Sequence, residues 1–126
     1  MISFEDAGTI LDEIAEELPE EFYRELNGGI VLLHRSKLHA RSLDPSRLYI
    51  LGQYHYQPRG LGRYIEIYYG SFRRVYGHLD PERQKEELRR VLLHEFTHHI
   101  ESLAGERGLE IKDAIRMEEY RKKFNQ

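Results

Sequence analysis

Between Pro81 and Gly105 the chain contains neither glycine nor proline, and the residues that open this stretch form a helix start. Asp80 can accept from the unpaired N–H groups of a first turn, Pro81 has a backbone angle suited to the first helical position, and Glu82 puts negative charge at the positive end of the peptide dipoles. The stretch predicts one helix from Asp80 to Ala104, about six turns long at 3.6 residues per turn, with Gly105 after it. With His94 at 0° on its wheel, Leu88, Leu92, Phe96 and Leu103 fall between roughly 120° and 200° and define a buried face. His94 and His98 share the other side with Glu87, Arg90 and Glu101, a polar face able to line a cleft. His99 projects into the buried face and reads as a packed, hydrogen-bonded histidine.

The other elements follow from spacing and punctuation. Ser3 and Asp6 have capping-box spacing, and Phe4, Ala7, Ile10, Leu11, Ile14, Ala15 and Leu18 recur at three- and four-residue steps, which predicts a first helix ending near Leu18. Pro19 opens a short helix from Glu20 to Leu26, which Asn27-Gly28-Gly29 ends. Three strands are expected, at Gly29–His34, Leu48–Tyr56 and Arg63–Tyr69. In the third, Tyr64, Glu66 and Tyr68 alternate with Ile65, Ile67 and Tyr69, the pattern of a strand with one inward and one amphipathic face and a candidate sheet edge. The turn-rich Gln57–Gly62 segment suits either a hairpin tip or a flap. A last helix is expected from Leu109 to Phe124, joined to its predecessor by a turn at Gly105–Gly108 to make an antiparallel hairpin. The order reads as a single α+β domain over residues 1–126, with helices against one small sheet.

Composition removes several classes of function. Nineteen basic against 22 acidic residues give a net charge of −3, with no global footprint for nucleic acid or an anionic membrane surface. Arg73-Arg74 and Arg89-Arg90 are too short to make a nucleic-acid patch. The chain has no cysteine, so disulfide scaffolds, Cys-ligated zinc, iron–sulfur clusters and thiol catalysis are all excluded, and any metal falls to His, Asp or Glu. The longest apolar run, Ile30 to Leu33, is far short of the roughly 20 residues of a membrane span. The acidic start resembles no signal peptide, which makes the expected location cytoplasmic.

The chemistry lies in His94-Glu95-Phe96-Thr97-His98. Residues four apart on a helix share a face, so both imidazoles can reach one metal ion while Glu95 projects about 100° round the helix beside them. Two neutral imidazoles suit Zn²⁺, one per chain, which asks for a third protein ligand and leaves a position for water. Zinc makes its water acidic near neutral pH, and Glu95 is placed to take the proton as general base. For the third ligand, Glu101 lies on the histidine face but too far along the axis, which suits a partner of a ligand better than a ligand. Glu106, just past Gly105, and Asp113, level with His98 across an antiparallel hairpin, are the leading candidates, with Glu110 and Glu118 as further options. Tyr54-His55-Tyr56 and Tyr64–Tyr69 offer phenols for a peptide or an oxyanion, although packing is the commoner use of such residues. His34, His39 and His78 have no partner at ligand spacing and read as surface or loop residues.

At this motif the chain resembles the zincin metallopeptidases, and in size and element order it is similar to the small single-domain bacterial zincin-like metallopeptidase family. The resemblance extends through Leu11–Phe22, Asn27–Ile30, Gly60–Phe72 and the helix leading into His94. It implies a minimal zincin fold, a small mixed sheet over the active-site helix with helices at both ends. It further implies zinc on His94 and His98, Glu95 as general base, and a peptide or flexible protein segment as substrate. An edge strand, here Arg63–Tyr69 with Tyr64, Glu66 and Tyr68, would bind that substrate by strand addition. The extended family pattern places glycine and a ligating aspartate three and six residues after the second histidine, where this chain has Glu101 and Ala104. Its glycine comes late, at Gly105, which makes Glu106 the shifted counterpart of the acidic ligand. The alternative to a peptidase is a peptide-binding module on the same scaffold with a vestigial metal site.

Overall fold

The computed structural model describes residues 1–40 and 48–107, and at 106–107 the backbone only. Helix α1 spans Phe4–Glu17, with the Ser3 hydroxyl accepting from the Asp6 N–H at 3.0 Å, so the capping residues act as their spacing predicts. Its apolar stripe buries Ala7, Leu11 and Ile14. The short helix after Pro19 is tighter and shorter than expected, a single 3₁₀ segment at Glu20–Tyr23 that plants Phe22 in the core. Gly29 then enters strand β1, Gly29–Leu33, at φ +70°, a conformation only glycine adopts without strain.

Strands β2, Gly52–Gln57, and β3, Gly62–Tyr68, form a hairpin in which Gln57 pairs with Gly62 and Gly52 with Ile67, so the Pro-Gly segment is a hairpin tip. Leu48–Leu51 lies outside the ladder, apart from one bridge between Tyr49 and Leu38. β1 joins the other side of β3 in parallel, with Ile30 opposite Ile65, and the strand order is β1-β3-β2. β3 is therefore the central strand, and its expected role as an edge is corrected: both of its flanks are taken, leaving β1 and β2 as the edges among the described residues. The alternation that suggested an edge arises because Tyr68 and Tyr64 bury on the second face, where their hydroxyls find polar partners.

Directly after β3 the chain turns into helix α2, Tyr69–Tyr76, which sequence reasoning did not anticipate. It starts with no side-chain cap and is held by burial of Ser71 and Phe72. Helix α3 runs Pro81–Arg107, with Asp80 Oδ1 accepting from the Arg83 N–H at 2.9 Å. The helix passes through Gly105, so the expected turn there is corrected: a single glycine costs about 1 kcal/mol in a helix, too little to end one that is otherwise well formed. The predicted helix at 109–124 lies outside the described residues.

The core fills one face of the sheet. Ile65 and Ile67 of β3 meet Leu92 and Phe96 of α3, and Leu11 and Ile14 of α1 complete the cluster. Buried Gln84 ties α3 to both ends of its surroundings, accepting from the Ile2 N–H at 3.0 Å and donating to the Tyr76 carbonyl at 3.1 Å. Among the described residues no helix is long and apolar enough to cross a membrane. The result is a small α+β domain with three helices and a three-stranded mixed sheet among the described residues.

Candidate metal centre

His94 and His98 are exposed on α3, one turn apart, and their Nε2 atoms converge to 3.1 Å with the rings at 89°. Two imidazole nitrogens bound to one tetrahedral zinc at about 2.05 Å each would stand roughly 3.3 Å apart, close to the observed separation, which as it stands is a hydrogen bond between the two rings. Glu101 Oε2 lies 3.8 Å from Nδ1 of His98, on the side away from His94, where it can orient that ring and not join the Nε2 pair. As a continuation of α3, Glu106 sits eight residues beyond His98, about 12 Å of helical rise, and it is not the residue just after a turn that its shifted position implied. Its side chain, and all of Glu110, Asp113 and Glu118, lie outside the described residues. Among the described residues no group of three or more His, Asp or Glu side chains is arranged to hold a metal.

Glu95 occupies a different environment from the two histidines. Its side chain turns under the start of β2 and is 5% exposed. Burial pushes its carboxyl up from an ordinary 4.5 to about 7, against the opposing pull of the Tyr54 backbone N–H that donates to it. A carboxyl poised near neutrality can both take and return a proton. Gly52 makes the close packing possible: a Cβ there would stand 3.0 Å from Val91 Cγ1 and 3.2 Å from Glu95 Cγ.

His99 is fully buried, as its place on the wheel suggests. Its Nε2 faces the Arg24 carbonyl at 2.8 Å, and a carbonyl can only accept, so Nε2 carries the proton. Nδ1 then accepts from the Tyr54 hydroxyl at 2.8 Å. Burial lowers the pKa of this imidazole and keeps it neutral. Through Tyr54 the histidine anchors β2 over α3, and the same residue's N–H reaches Glu95.

A groove follows α3 on both sides of this centre. One half, about 580 Å³, is lined by Gln53, Tyr54, His98 and Ser102, and the other, about 400 Å³, by Tyr49, Leu51, Tyr76 and Val91; His94, Glu95, Ile50 and Gly52 belong to both. The edge strand beside the groove is thus β2. Tyr64, Glu66 and Tyr68, expected to contact substrate, do not line this groove. Ile65 and Ile67 point to α3, so the alternate residues occupy the opposite face. There Glu66 accepts from Tyr68 at 3.0 Å and stands 2.6 Å from His55 Nε2, while Tyr64 stacks on His55.

No family model matches the sequence, and no curated protein does. A solved structure, that of a conserved hypothetical protein from Thermo thermophilus, is 34% identical, with 82% of this chain and 98% of that chain covered and a TM-score of 0.67. The chain belongs to the same family as that protein. The shared domain takes in nearly the whole of the thermophile member, so the family relation extends well beyond the His94–His98 segment.

The features that sequence reasoning missed are the backbone donor of Tyr54, the Gly52 approach and the groove half beside Tyr76. Only Gly52 left a trace, as a glycine inside a predicted strand, which marks a close backbone approach.

Proposed function

We propose that the chain is a zinc-dependent peptidase of the minimal zincin type, with His94 and His98 as two of the zinc ligands and Glu95 as general base. The convergence of the two Nε2 atoms at 3.1 Å, one residue from a buried carboxyl, carries this reading. The chemistry of the donors fits zinc: two imidazole nitrogens near tetrahedral spacing and no thiolate. Bound there, zinc would polarise a substrate carbonyl and make a water acidic enough to attack it. Glu95, buried beside the two histidines, accepts the proton of the attacking water and delivers it to the departing amine. The outer edge of β2, which no other strand of the described residues covers, can hold an extended peptide along the groove by strand addition, the role expected earlier of β3. That same edge supports the second reading, a peptide-binding module without catalysis.

Zinc content per chain, measured beside His98→Ala, tests the centre, and cleavage of a diverse peptide library by zinc-loaded protein beside Glu95→Gln tests the reaction. About one zinc in the parent, its loss in His98→Ala and cleavage abolished by Glu95→Gln are the expected results. Peptide binding without zinc and without cleavage would transfer the assignment to the binding module.

A further inference from the structure

The groove half on the N-terminal side of His94 has the composition of a side-chain pocket. It is lined by Tyr49 and Tyr76 and by the apolar Leu51 and Val91. At the far end stand Glu87 and Arg90, which form an ion pair within α3. The two charges are not equally available. The Glu87 side chain is 17% exposed and accepts both from Arg90 Nη1 and from the Tyr76 hydroxyl, so its charge is answered twice. The Arg90 side chain is 42% exposed, and its pairing with Glu87 runs through one nitrogen of a guanidinium that has five N–H donors. Of the two partners, Arg90 is therefore the one more available to an occupant at this end of the pocket.

We infer that this pocket selects an aromatic side chain, Phe or Tyr, on the substrate residue next to the bond that lies over Glu95, and rejects Lys and Arg; this rests on the peptidase reading. The position follows from the shared walls, since His94 and Glu95 close the pocket at its inner end. The volume, about 400 Å³, falls within the roughly 300–1,000 Å³ of ligand sites and accommodates one aromatic ring. Aromatic character is favoured three ways: Tyr49 and Tyr76 offer aromatic contacts, Leu51 and Val91 apolar surface, and the Arg90 guanidinium a cation for the face of the ring. A basic side chain would meet Arg90 with like charge, and Glu87 is too well paired to compensate.

The test uses zinc-loaded protein and peptides varied at a single position, with Arg90→Glu and the milder Arg90→Gln as variants. The parent should cut beside Phe or Tyr at least about tenfold faster than beside Lys, and Arg90→Glu should shift the Lys-to-Phe ratio towards Lys by about tenfold or more, with Arg90→Gln between. Cleavage with no side-chain preference, or a ratio unmoved in Arg90→Glu, overturns the pocket and leaves the peptidase standing. Absence of all cleavage counts against the peptidase, and the pocket is then judged on binding alone. N-acetyl-phenylalaninamide should move the Val91 and Leu51 methyl resonances of metal-free protein and N-acetyl-lysinamide should not, with the Lys compound gaining in Arg90→Glu. Methyl resonances unmoved by the Phe compound overturn the pocket on that arm too.

Discussion

Glu95→Gln should make the metal-free protein more stable, and only at the alkaline end of the pH range. The carboxyl ionises near 4.5 in an unfolded chain and near 7 in the folded one, because burial outweighs the single N–H from Tyr54. The unfolded state therefore gives up its proton first. Folding free energy is undiminished below about pH 4.5, falls as the pH rises towards 7 and is then flat. At 1.36 kcal/mol per pH unit, the full loss is about 3 kcal/mol. Glutamine keeps the shape and the acceptor for the Tyr54 N–H but has no charge to bury, so the variant escapes this cost. Urea unfolding in the presence of a chelator should find Glu95→Gln about 3 kcal/mol more stable than the parent at pH 8, or roughly 10 °C higher in melting temperature, with the gap under about 1 kcal/mol at pH 5. His99 acts in the opposite sense, since its lowered pKa removes stability as the pH falls below about 6.5, but both proteins share it and it cancels in the difference. A gap that does not change with pH, or a variant less stable than the parent at pH 8, would refute the account of Glu95 as a buried carboxyl held for function at the expense of stability.

Gly52→Ala should cost about 1–3 kcal/mol in urea unfolding, because the new methyl meets Val91 at 3.0 Å and Ile67 at 3.1 Å in a packed wall, and it should reduce any peptidase activity by displacing Glu95. Tyr54→Phe removes the donor to His99 Nδ1 and leaves a buried acceptor unmet, a loss of about 1–3 kcal/mol measurable by the same assay. Zinc at a hundred times its dissociation constant should stabilise the parent by about 2.7 kcal/mol and His98→Ala by little, read from melting curves with and without chelator. Asp113→Asn should weaken zinc binding, measured by competition with a chromogenic chelator, by more than Glu106→Gln, given the roughly 12 Å of helical rise between Glu106 and His98.

What the sequence revealed of this fold is what short-range chemistry encodes. Ser3 and Asp80 mark their helices because a cap is a contact between residues three apart, and the His94–His98 pair is legible because one helical turn fixes its geometry. α2 was invisible because it has neither a cap nor a long apolar stripe: Tyr69–Tyr76 is helical through burial of Ser71 and Phe72 against distant segments. The place of β3 in the sheet was misread for a related reason. Tyr64 and Tyr68 resemble solvent-facing residues until Gln57 and Gln53, both on β2, supply partners for their hydroxyls. The fine structure of the candidate site depends on a backbone N–H from Tyr54, and every residue but proline has one, so no letter of the sequence distinguishes it.

The mixed sheet also sets an order of assembly. β2 and β3 are joined by a short tip and can pair while little else is formed, whereas β1 reaches β3 only after a loop of about 35 residues has closed, Ile30 meeting Ile65. The wall of the groove beside Glu95 belongs to the local unit, and the far edge of the sheet to the non-local one. A fluctuation that releases β1 breaks the parallel ladder without touching the hairpin, so the half of the molecule that holds the chemistry can stay closed while the other half breathes.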